Sequence, residues 1–92
     1  MTFVNTLKKY ELTFAPRAKK ALDTLPRVVS ESIYAKLKEL LSGQQNLDVK
    51  KLVRPGKPQY RLRVRDYRVV YVVYEEKILI CVVEVGHRRE IY

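Results

Sequence analysis

The chain has 92 residues, 19 of them Lys or Arg against 10 Asp or Glu, giving a formal net charge of +9 with 47% hydrophobic residues. That is the size of a single domain, spanning 1–92, too apolar to be a disordered polycation, and its charge calls for a polyanionic partner: nucleic acid, an anionic membrane surface or an acidic protein. The one cysteine, Cys81, excludes an internal disulfide, one cysteine with one histidine is too few for a structural zinc site, and no run is long enough for a signal peptide or a membrane span, so a cytoplasmic protein with no metal, no cofactor and no membrane partner is expected.

Residues 1–9 show no periodicity and read as a frayed extension. Tyr10, Leu12 and Phe14 then alternate with polar positions, the mark of a half-buried strand. Ala15-Pro16 opens a helix, because proline is well placed in a first turn, and Ala18, Ala21, Leu22 and Leu25 give it an apolar stripe. Leu25-Pro26 ends this helix and starts a longer one striped by Val29, Ile33, Leu37, Leu40 and Leu41, with Gly43 as its stop. So short a break predicts a helical hairpin. Gly43, Pro55, Gly56 and Pro58 mark residues 43–59 as loop, with a short extended piece around Lys51-Leu52-Val53.

From Tyr60 onward the pattern turns to β. Tyr60 to Val64 alternates strictly, and Tyr67 to Tyr74 and Ile78 to Val85 are rich in Val, Ile and Tyr. Arg65-Asp66 and Glu75-Glu76 are short enough for tight hairpins, and Gly86 would let the chain turn out of the last strand. The order β-α-α-β-β-β predicts an α+β fold: two helices on one face of a mostly antiparallel sheet of four to five strands.

Eight basic residues lie between Lys50 and Arg68: Lys50, Lys51, Arg54, Lys57, Arg61, Arg63, Arg65 and Arg68. With Arg65-Asp66 as the hairpin loop, Arg63 faces Arg68 and Arg61 faces Val70, which puts Arg61, Arg63 and Arg68 on one face with Val70, Val72, Leu79, Cys81 and Val83. Like charges side by side on a sheet are unfavourable, so this face invites an anion between its guanidiniums, whose planar forks match phosphate oxygens. Beyond the sheet stand His87, Arg88, Arg89 and Tyr92. The imidazole is the only side chain here whose free pKa lies near neutrality, and a closing tyrosine can stack on a base.

The stretches Tyr10 to Phe14, Lys51-Leu52, Tyr60 to Tyr71 and Val85 to Tyr92 together resemble the RelE/ParE toxin superfamily, and its RelE-type branch in particular. The resemblance implies a type II toxin that enters the ribosome and cuts messenger RNA without a metal, and that a small acidic antitoxin of the RelB kind silences. By position, Arg61 and Arg63 match the family's basic residues on the first strand after the loop, Arg68 its phosphate-binding arginine, Arg88 the group that protonates the leaving oxygen, and Tyr92 the tyrosine that orients the nucleotide. Lys50, Lys51, Arg54, Lys57, Arg65 and Arg89 are the further residues expected to bind RNA. Arginine stands where the best-known member has lysine, and arginine is a poor proton shuttle near neutrality. The general base is therefore left open, with His87 as a candidate beside the catalytic arginines. The alternative within the superfamily is a ParE-type inhibitor of DNA gyrase that cleaves no RNA.

Overall fold

Strand β1 (Glu11–Phe14) leads directly into helix α1 (Pro16–Asp23), which Pro16 enters in its first turn. The computed structural model describes residues 10–43, 46–87 and 89. At the end of α1 the amide of Thr24 donates to Ala21 and its hydroxyl donates to the same carbonyl. Pro26 then starts helix α2 (Arg27–Leu41). The chain continues through β2 (Val49–Leu52), β3 (Gln59–Val64), β4 (Tyr67–Tyr74), a single 3-10 turn (Glu75–Lys77) and β5 (Leu79–His87).

The five strands form one sheet in the order β1-β5-β4-β3-β2, with β1 parallel to β5 and every other pair antiparallel. The expected α+β fold is thus observed, with the extended piece near Lys51-Leu52 realised as an edge strand. The helices cover one face. Ala18 and Leu22 of α1 and Ile33 and Leu37 of α2 pack on Leu62, Val64, Val69, Tyr71, Ile80 and Val82, all of them buried. The α2 stripe read from sequence is the one that faces the sheet. Among the described residues no helix is long and apolar enough to cross a membrane.

Three local features differ from expectation. The β4–β5 connection is not a two-residue hairpin: the 3-10 turn is followed by Ile78 in the left-handed region at φ 50°. Gly86 does not release the chain from the sheet. It lies buried inside β5, paired with Arg68, and the strand runs on to His87 opposite Tyr67. Finally, Val70 pairs with Glu84 but Tyr71 pairs with Val82, so β5 carries one extra residue, Val83, as a bulge.

Candidate nucleic-acid interface

The β3–β4 hairpin turns at Arg65-Asp66 as expected, with Arg63 opposite Arg68, Arg61 opposite Val70 and Gln59 opposite Val72. Arg65 takes φ 56° there, a conformation glycine adopts freely and other residues rarely. This register puts Leu62, Val64, Val69 and Tyr71 into the helix-covered core and leaves Arg61, Arg63, Arg68, Val70 and Val72 on the other face. The face is built in rows across the strands. One row is Arg63, Arg68 and Gly86; the next is Lys50, Arg61, Val70 and Glu84; a third is Leu52, Gln59, Val72 and Cys81.

Arg61 and Arg54 are held by neighbouring side chains, whereas Arg63 is exposed. Arg61 is only 12% exposed, lying along the face with Nη2 donating to Asp48 Oδ1 at 2.8 Å. Its Nε is buried with no acceptor among the described residues. A buried guanidinium donor without an acceptor is costly, so this position favours an arriving oxyanion. Asp48 also accepts the backbone amide of Arg63 at 2.9 Å, which ties β2 to β3 at the height of these side chains. Arg54 reaches in from the β2–β3 loop, donating to Gln59 Oε1 at 2.9 Å and lying 3.9 Å from Glu84.

The structure therefore gathers Arg61, Arg63 and Arg68 on one open face, with Lys50 and Arg54 at its margin. It does not gather the rest. Lys51 pairs with Tyr60, on the helix side of the edge strand. Arg65 turns toward α2 and donates to Ser32 Oγ at 3.2 Å. Lys57 sits 5.3 Å from the centre of the Tyr74 ring and 3.9 Å from Glu76. Arg89 is exposed, its amide donating to His87 Nδ1 at 3.3 Å. Arg88 and Tyr92 lie outside the described residues.

His87 stands on the face opposite the arginines. Its ring meets Tyr67 edge-on at 5.4 Å, and Tyr67 packs against the core. The bulge is the cause. Unbroken alternation from Leu79 and Cys81 would carry His87 onto the arginine face and Glu84 into the core. The extra residue at Val83 reverses both, so Val85 packs with the core and Glu84 emerges among the cations. Glu84 is the residue that sequence reasoning missed: a bulge leaves no mark in a run such as Ile80-Cys81-Val82-Val83.

Among the described residues no three His, Cys, Asp or Glu side chains converge as a metal site. A cleft of about 410 Å³ lined by Tyr10, Lys38, Glu39, Leu41 and Ser42 lies between the start of β1 and the end of α2, apart from the arginine rows. The row of guanidiniums on this face suits the backbone of a polyanion laid across it.

Residues 12–92 match the family model for the ParE toxin of type II toxin–antitoxin systems, parDE. The chain is 35% identical over 85 residues, 90% of each protein, to the mRNA interferase toxin RelE of Escherichia coli K12. Among solved structures it resembles the archaeal RelE–RelB complex from Pyrococcus horikoshii, with TM-score 0.72 and 26% identity over 90% of this chain and 99% of that one. It also resembles the intact E. coli RelBE toxin–antitoxin complex, with TM-score 0.69 and 32% identity over 85% of this chain and 95% of that one.

Proposed function

The chain belongs to the RelE/ParE family of type II toxin–antitoxin toxins, and from that premise we propose that it is an mRNA interferase that cuts messenger RNA on the ribosome, in the cytoplasm. The observation that carries this reading is the open face on which Arg61, Arg63 and Arg68 stand in adjoining rows. In the proposed reaction the 2′-hydroxyl of the nucleotide before the cut attacks the adjacent phosphorus. A 2′,3′-cyclic phosphate and a free 5′-hydroxyl result. The three guanidiniums stabilise the charge that builds on the phosphorane-like transition state, Arg61 from a position already fixed by Asp48. Arg88 assists departure of the 5′-oxygen and Tyr92 stacks on the nucleotide, as the family resemblance implies. A small acidic antitoxin silences the toxin, in keeping with the RelE–RelB complexes formed by its structural relatives.

Mapping of 5′ ends in a translation reaction tests the reading. The wild-type protein should leave 5′-hydroxyl ends within translated codons. Arg68→Ala and Arg88→Ala should each lower the rate by about 10²–10³, the usual effect of removing one charge-stabilising donor. The match to the ParE model favours a second reading, inhibition of DNA gyrase, under which messenger RNA stays intact and supercoiling activity falls. Ends bearing 5′-phosphate would overturn the mechanism while leaving a nuclease in place.

A further inference from the structure

The arginine face has charge to stabilise a transition state but no base among its arginines to start the reaction, since guanidinium holds its protons throughout the physiological range. We propose that Glu84 is the general base that takes the proton from the attacking 2′-hydroxyl. This assignment rests on the ribonuclease reading above and completes it.

Three observations carry it. The first is placement. Glu84 shares a row with Lys50, Arg61 and Val70, one row from Arg63, Arg68 and Gly86. With neighbouring strands ~4.8 Å apart, the Arg61 and Glu84 backbones are ~10 Å from one another. A phosphate held by the Arg61 guanidinium, with its ribose toward β5, fits in that span. The second is the bulge at Val83, which delivers this carboxylate to the face instead of the core. Bulges that re-aim a side chain recur beside active sites. The third is a comparison with two other described acids of the sheet. Asp48 is engaged with Arg61 at 2.8 Å. Glu11 is paired with Leu79 on the edge strand β1, at the far end of the face from the arginine rows.

Glu84 is held loosely in the resting protein. Arg17 of α1 approaches at 3.5 Å and Arg54 of the β2–β3 loop at 3.9 Å, both longer than a full charge-assisted hydrogen bond. The other cations of the face are Arg61 and Arg63 of β3, Arg68 of β4 and Lys50 of β2. RNA phosphates compete for Arg17 and Arg54 and leave the carboxylate oxygens open. Glu84 then accepts the 2′ proton as the 2′-oxygen bonds to phosphorus. The bond from phosphorus to the 5′-oxygen breaks with its electron pair, and that oxygen takes a proton from water while the Arg88 guanidinium hydrogen-bonds to it and keeps its own protons. Glu84 passes its own proton to solvent, so the cycle needs no other reactant.

The test is single-turnover cleavage of ribosome-bound messenger at pH 7 by wild type, Glu84→Gln, Glu84→Asp and Glu84→Ala. General-base loss should slow Glu84→Gln by about 10²–10⁴ with its apparent affinity for the programmed ribosome little changed. Glu84→Asp, which keeps a carboxylate, should retain more of the rate than Glu84→Gln. Formate should restore part of the rate to Glu84→Ala. A Glu84→Gln protein that cleaves at the wild-type rate, or a slow Glu84→Ala protein that formate does not restore, overturns the assignment and leaves the ribonuclease reading standing. Circular dichroism of each variant separates a folding loss from a chemical one, and formate rescue cannot come from a misfolded chain. Absence of cleavage by folded wild-type protein overturns both.

Discussion

Tyr71 is 4% exposed and stacks on Tyr60 with ring centres 5.5 Å apart. Burial first, and the neighbouring Tyr60 second, push its phenol up to about 12 from the ordinary 10.0. The unfolded chain ionises at the ordinary value, so the native state keeps the full contribution below pH 10. Between pH 10 and 12 the unfolded chain releases a proton that the folded one retains, and stability falls by roughly 3 kcal/mol. Tyr71→Phe removes the phenol and should flatten this alkaline loss, which urea unfolding at pH 9 and pH 11 would measure. A variant that loses stability as steeply as wild type would place the alkaline sensitivity elsewhere. The same scale shows what the sequence made legible of the site. Arg61, Arg63 and Arg68 could be placed because alternation in β3 and β4 is unbroken around a two-residue loop. Glu84 and His87 could not, because their faces depend on one inserted backbone residue that no side-chain type announces.

At the scale of elements, the helices and the charged face divide the labour. Helix α2 sends Ile33 and Leu37, both fully buried, into the core, and its residues contribute no group to the arginine rows. Leu37→Ala should therefore cost about 2–5 kcal/mol, the transfer loss plus the cavity left behind. Cleavage per folded molecule should be unchanged. Denaturant melts beside rates normalised to the folded fraction check both halves, and a rate loss beyond the unfolded fraction would tie α2 to the chemistry. The helices were readable because a 3.6-residue stripe and a proline boundary are local signals. The β4–β5 connection was less so. Its 3-10 turn puts Ile78, a β-branched residue, at positive φ, a choice against local preference that is accompanied by the tertiary pairing of Glu11 with Leu79 and by the amide of Glu11 on the Ile78 carbonyl.

For the whole molecule, five of the 19 Lys and Arg residues stand together on the face that can meet a polyanion. If Lys50, Arg54, Arg61, Arg63 and Arg68 each neutralise one phosphate of a single strand, log affinity should fall against log salt with a slope of about −3.5. Arg63→Ala should lessen that slope by about 0.7. Titration of a fluorescent RNA at rising salt reads both, and a slope near zero would deny the face its role. The class of fold was legible at this scale from element order alone, but the parallel pairing of β1 with β5 was not. It joins Glu11 to Leu79 across most of the chain, and no local pattern encodes a contact so distant. That pairing also divides the molecule between its two halves. Residues before Gly43 hold β1, both helices and four of the ten residues of the buried core cluster; residues after it hold four strands and every arginine of the charged rows. Neither half can close the core by itself. A chain severed between α2 and β2 would thus behave as a two-key lock, inert as separate pieces and restored by whatever brings the pieces together, which makes this toxin a natural scaffold for a cell-arrest switch set by proximity.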